Sequence, residues 1–154
     1  MIIDCRTHLW TNTAQLGDML SNQLKKHGAP RWIATVADPE AHDRSTKLID
    51  IAFVHGLHAE IINADVPTEL IVDFCRKKPD KRLPVAGIDP LSKNAISRLK
   101  DAIELGTIAI TLSPSLARFH PTNSSAMQLY AICQEYNLPV FFFNDLPLVS
   151  SSVM

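Results

Sequence analysis

The sequence predicts an α/β domain built on a parallel sheet, and three observations carry that reading. From about residue 48 onward, strand-like and helix-like segments alternate in a βαβαβαβ rhythm. The runs Ile108-Ala109-Ile110 and Val140-Phe141-Phe142-Phe143 are apolar at consecutive positions, as strands covered on both faces are. Turn chemistry closes the segments, at Pro79-Asp80, Asp89-Pro90, Gly106 and Ser113-Pro114. Five parallel strands with right-handed crossovers fit two architectures. One is a partial (β/α)8 TIM-type barrel, about its first five β/α units; the other is an open doubly wound parallel sheet. Periodicity leaves both open. A complete barrel takes about 250 residues, so 154 residues do not close one alone.

The elements follow in order. Met1-Ile2-Ile3-Asp4 reads as a short strand that runs into the polar stretch Cys5-Arg6-Thr7-His8. Residues 11–30 are less regular, with a helix expected around 16–25, and 32–37 form a further run. Asp38-Pro39 has the form of an N-cap followed by the first position of a short helix to residue 47. A strand over 48–54, apolar apart from Asp50, leads to a helix over 66–78 with Leu70, Ile71, Phe74 and Cys75 at helical spacing. The next strand covers 83–88. Ser92 is expected to cap a helix to residue 105, with Ile96, Leu99 and Ile103 on one face and Gly106 just past its end. A strand over 107–112 follows. Asn123 or Ser124 caps a helix to about 136 that buries Ala126, Leu129, Tyr130 and Cys133, and 139–143 form the last strand. The terminal Ser150-Ser151-Ser152 stretch is expected to fray.

Composition bounds the function. With 46% hydrophobic and 20% charged residues, the 154-residue chain has the make-up of a single soluble globular domain. Fifteen basic against 16 acidic side chains give no long-range field for nucleic acid or an anionic membrane, so neither is an expected partner. The basic cluster Arg76-Lys77-Lys78 with Lys81-Arg82 reads as a solvated helix end. Cys5, Cys75 and Cys133 are odd in number and widely spaced, which fits free thiols in a reducing, cytoplasmic setting. Neither a signal peptide nor a membrane-length apolar run is visible.

The opening Asp4-Cys5-Arg6-Thr7-His8 resembles the D-x-H-x-H that ends the first barrel strand of the amidohydrolase-related metal-dependent hydrolases. The likeness continues through Pro79-Asp80-Lys81-Arg82…Gly87-Ile88-Asp89-Pro90 and Leu105-Gly106-Thr107…Leu112-Ser113-Pro114. It extends to Phe119-His120-Pro121 with Leu129-Tyr130, and to Asn137-Leu138-Pro139-Val140…Phe143-Asn144-Asp145. The order is that of the family over nearly the whole chain. The resemblance implies a TIM-barrel fold cut off after the fifth strand. It also implies an ancestral activity of metal-assisted hydrolysis, or decarboxylation, of a small molecule. In full-length relatives a zinc or other divalent ion sits at the C-terminal ends of the strands and activates water.

Carried over by position, the metal-binding pair of the first strand becomes Arg6 and His8. Thr111 stands where some members have a lysine, and Phe143 where the fifth strand has a histidine. A guanidinium offers no lone pair and a phenyl ring none, so His8 is left as a vestigial ligand and no cofactor is expected in this chain. No catalytic residue is named. Arg6, His120, Asn144 and Asp145 are the candidate substrate-site residues implied by the family. Arg6 pairs with Asp4 or Asp145, or binds an anion; the sequence leaves this open. His55 and His58 are expected to be exposed loop histidines, and Cys5 a buried structural thiol. An alternative role is a non-catalytic interaction module. Its open sheet edges would pair with a second copy or dock on a full-length paralogue.

Overall fold

The computed structural model describes residues 1–27 and 37–143. In chain order these form β1 (Ile3–His8), a 3-10 turn (Thr13–Leu16), α1 (Gly17–His27), α2 (Pro39–Ser45) and β2 (Ile51–His55). An excursion follows, β3 (His58–Ala59), a 3-10 turn (Glu60–Ile62) and β4 (Ala64–Asp65). The remainder is α3 (Thr68–Arg76), β5 (Arg82–Gly87), α4 (Ala95–Leu105), β6 (Ala109–Leu112), α5 (Pro114–Ala117), α6 (Ser124–Glu135) and β7 (Val140–Phe142). The main sheet has the order β1-β2-β5-β6-β7, with every pairing parallel. That order simply follows the chain. A doubly wound sheet needs a reversal of strand order at a switch point, and none is present among the described strands. The alternative therefore falls, and the fold is a partial TIM-type α/β sheet curled into half a barrel.

Burial explains which expected boundaries moved. The second strand starts at Ile51 rather than 48, because Leu48 is 81% exposed and Asp50 turns back to accept a hydrogen bond from Ile2 N at 2.5 Å. Asp38 caps α2 as expected, its Oδ1 accepting from Ala41 N at 2.7 Å. Ser92 does not cap α4: its hydroxyl donates to Asn94 Oδ1 at 2.5 Å, Asn94 takes the N-cap position, and the helix begins at Ala95. The buried stripe of α4 is Ala95, Leu99 and Ala102, while Ile96 is 40% exposed. Gly106 ends α4 with φ of 88°, a conformation that costs glycine no side-chain clash. Asn123 caps α6 by accepting from Ser125 N at 2.8 Å. The run 32–37 lies, but for Ala37, outside the described residues; Ala37 bridges Trp10.

Two apolar clusters fill the space between sheet and helices. The larger joins Ala86, Ile88, Ile110 and Leu112 of the β5 and β6 region to Leu99 of α4 and Leu129 and Cys133 of α6. The smaller joins Leu9 and Val54 to Ile71, Phe74 and Cys75 of α3. Beside it, Arg82 is 3% exposed rather than solvated. Its guanidinium lies 3.7 Å from the Phe74 ring, donates to Phe74 O at 3.0 Å and pairs with Asp43. The basic run thus divides: Arg76, Lys77 and Lys78 are exposed, and Arg82 is a buried anchor between α2, α3 and β5. Among the described residues, no helix is long and apolar enough to cross a membrane.

Candidate functional site

Parallel strands of a barrel present their C-terminal ends together, and alternate residues point inward, away from the helices. On β2 this sets Val54 against α3 and turns Phe53 and His55 inward. The inner face gathers Arg6 and His8 from β1, His55 from β2, Thr111 from β6, and Phe141 and Phe143 at the last strand. His55 is the centre. It is 1% exposed, its ring lies 4.8 Å from Phe143 and 5.1 Å from Phe141, and His8 stands 6.0 Å away.

The hydrogen bonds of His55 fix its chemistry. Nε2 lies 2.9 Å from the Cys5 carbonyl, which can only accept, so Nε2 carries the proton. Nδ1 is then the acceptor for the Thr111 hydroxyl at 2.5 Å. Both ring nitrogens are engaged in the neutral form, tying β2 to β1 on one side and to β6 on the other. Burial pulls the His55 pKa from 6.5 down to about 4, with the Arg6 charge acting in the same direction. His8 falls to about 4 as well, through desolvation first and then the neighbouring His55 and Arg6. Two neutral imidazoles at pH 7 are what a cation beside a desolvated pair produces.

The described residues do not by themselves fit a bound metal ion. Thiolate, imidazole or carboxylate donors must converge on one point, three of them for a catalytic zinc. Among the described residues no three His, Cys, Asp or Glu side chains do so. His55 has no lone pair to give while Nδ1 holds Thr111, and the third wall beside His8 is the Phe143 ring at 5.9 Å. Arg6 places a permanent cation there, its guanidinium carbon 4.5 Å from the centre of the same ring.

The structure moves several residues from where the sequence put them. Cys5, within β1, is exposed rather than buried. His55 and His58 are buried, not exposed: β2 extends through His55, and His58 sits in β3 with Nδ1 3.4 Å from the Asp65 carboxylate. The signal for His55 was available, since Phe53 and His55 share one side of a period-two strand. The Arg6 backbone N–H donates to Asp4 Oδ1 at 2.9 Å, and its guanidinium lies over the Phe143 ring. His120 is exposed beyond α5 and bonds Thr122 Oγ1 at 2.8 Å within its own loop. Asn144 and Asp145 lie outside the described residues.

Loops at the same end are held by backbone contacts and one buried carboxylate. Gly87 closes β5, and a Cβ there would stand 2.6 Å from Leu57 N, so only glycine lets the chain after β2 cross over it. Asp89, 1% exposed, accepts from Glu60 N at 2.8 Å and from Leu91 N at 2.9 Å. It pins the β3–β4 excursion to the end of β5, which explains the Asp89-Pro90 motif structurally.

No family model matches the chain, and no curated protein matches it. Among solved structures it is similar to an uncharacterized TIM-barrel protein from Bordetella bronchiseptica. That likeness has a TM-score of 0.70 at 19% identity, and covers 96% of this chain and 56% of that one. It is also similar to a protein named as amidohydrolase II, with a TM-score of 0.61 at 14% identity over 100% of this chain and 54% of the other. The chain spans little more than half the length of either neighbour. At these identities the likeness establishes the fold alone: five strands and their helices with the architecture of part of a TIM barrel.

Proposed function

We propose that this chain is an amidohydrolase-related half-barrel that performs no metal-assisted hydrolysis through its His8 site. The observation that carries the reading is the state of His55, the histidine nearest His8, whose two nitrogens are both held by Thr111 and the Cys5 carbonyl. Phe143 and Arg6 supply aromatic surface and positive charge where a metal would need donors. The test is metal analysis of the purified chain, with zinc added and then dialysed away, beside assays on amides, esters and lactones. Zinc near the background level and no turnover are expected. One zinc per chain that disappears in His8→Ala, or metal-dependent turnover, would sink the proposal.

A second reading, an interaction module, is favoured by exposed apolar surface at the two outer strands. Ile2 is 55% exposed, Ile3 44% and Phe142 44%. Outer strands of a sheet carry unpaired backbone groups, and apolar side chains there invite pairing. A second copy, or a longer relative, would cover them. Light scattering behind size exclusion should then give a discrete oligomer that Phe142→Asp weakens; a folded monomer indifferent to that change refutes it.

A further inference from the structure

β1 and β7 are the first and last strands of the sheet, with β2, β5 and β6 between them. They share no backbone hydrogen bond, yet their inner side chains meet. Arg6 lies over the Phe143 ring at 4.5 Å, and His8 meets the same ring edge-on at 5.9 Å. An open parallel sheet keeps its outer strands apart, so contact between them measures its curl. We propose that Arg6 and Phe143 form a metal-free clasp that draws the outer strands together and holds the curvature of the half-barrel.

The chemistry suits the task. A guanidinium over a ring face is attracted by the ring's negative quadrupole and is less strongly hydrated than an ammonium. Its planarity allows stacking, which a lysine cannot reproduce. The ring is fixed from its other sides by His55 at 4.8 Å, itself locked between β1 and β6, so the contact is made by a side chain that is already placed. β1 needs such a hold. Among the described residues it pairs with β2 alone, its register slips between Asp4 and Thr7, and Ile3, Cys5 and Arg6 are all exposed. The clasp rests on the proposal above in one respect only: both of its members occupy positions from which a metal would have to be held.

A double-mutant cycle tests it, using Arg6→Met, Phe143→Leu and the pair, each followed by urea unfolding with circular dichroism. Each single change should lower the unfolding midpoint, and the double variant should lose clearly less than the sum of the two. Additive losses would overturn the clasp, because a cycle isolates the pair from every other partner of Arg6. Two conservative variants guard against loss of folding. Phe143→Trp should keep the midpoint or raise it, and Arg6→Lys should lower it despite retaining the charge. An unchanged midpoint in Arg6→Lys would show that charge alone is used and would overturn the stacking contact. Repeating the wild-type measurement with excess zinc separates the two claims. A zinc-raised midpoint counts against the metal-free reading, and the cycle judges the clasp on its own.

Discussion

Acid should loosen this fold in a pH window set by its inner histidines. His55 is neutral and doubly hydrogen-bonded in the folded chain, with a pKa of about 4 against an ordinary 6.5. Between those values the unfolded chain binds a proton that the folded chain refuses. Stability is therefore complete above about pH 6.5, falls as pH drops toward 4, and has lost the whole contribution below that. At about 1.36 kcal/mol per pH unit, the gap is worth roughly 3 kcal/mol. His8 lowers stability in the same direction and titrates together with its neighbour, so the pair is read as one unit. His42, also depressed by burial and by Arg82, adds to the slope. Asp43 and Asp65 are held below their usual range of 3.8, so their contribution is lost only at still lower pH and leaves the histidine window clear. Urea midpoints taken at intervals from pH 7.5 to pH 4 give the slope, and imidazole nitrogen shifts give the Nε2–H form directly. In His55→Phe, a ring of similar shape among Phe141 and Phe143, the slope should drop by up to about 1.4 kcal/mol per pH unit, one proton's worth. Stability that is flat from pH 7 to pH 4.5, or an unchanged slope in His55→Phe, would refute the reasoning.

Two further changes probe the frame around the site. Gly87→Ala forces a Cβ to 2.6 Å from Leu57 N, and backbone cannot swing aside as a side chain does. We expect a loss on the order of 2 kcal/mol or more, read from the thermal midpoint, with Gly106→Ala, where a Cβ meets nothing within 4 Å, costing only the strain of its positive φ. Asp43→Ala removes the carboxylate from a guanidinium that is 3% exposed, leaving it the Phe74 carbonyl and ring. Breaking a buried pair typically costs about 3–5 kcal/mol, but Asp43 is 40% exposed, so a loss of about 1–2 kcal/mol is expected in urea unfolding.

Local rules carried much of this protein. The 3.6 and period-two patterns located α3, α6 and the three later strands of the main sheet. The runs expected to be covered on both faces are nevertheless open at Ile108 and Phe142, 38% and 44% exposed, and among the described strands the sheet ends at β7. Caps were legible where one side chain answers one backbone group, as at Asp38, Asn123 and Gly106. They failed at Ser92, whose hydroxyl found a nearer partner in Asn94. The positions of Arg6, His8, Thr111 and Phe143 were visible through the family resemblance. Their meeting was not, since Arg6 and Phe143 stand at opposite ends of the described chain and on opposite edges of the sheet.

What the tertiary structure alone decided follows from distance in sequence. Strand order separates a barrel segment from a doubly wound sheet, and order is a property of pairings between residues tens of positions apart. The burial of His55 and Arg82 depended on partners that no local window contains: Cys5 and Thr111 for the one, Asp43 and Phe74 for the other. A polar side chain enters a core only when such partners satisfy it. Periodicity therefore determined the longer strands and helices, the short elements β3, β4 and α5 were not legible in it, and the assembled sheet determined which polar residues it took inside.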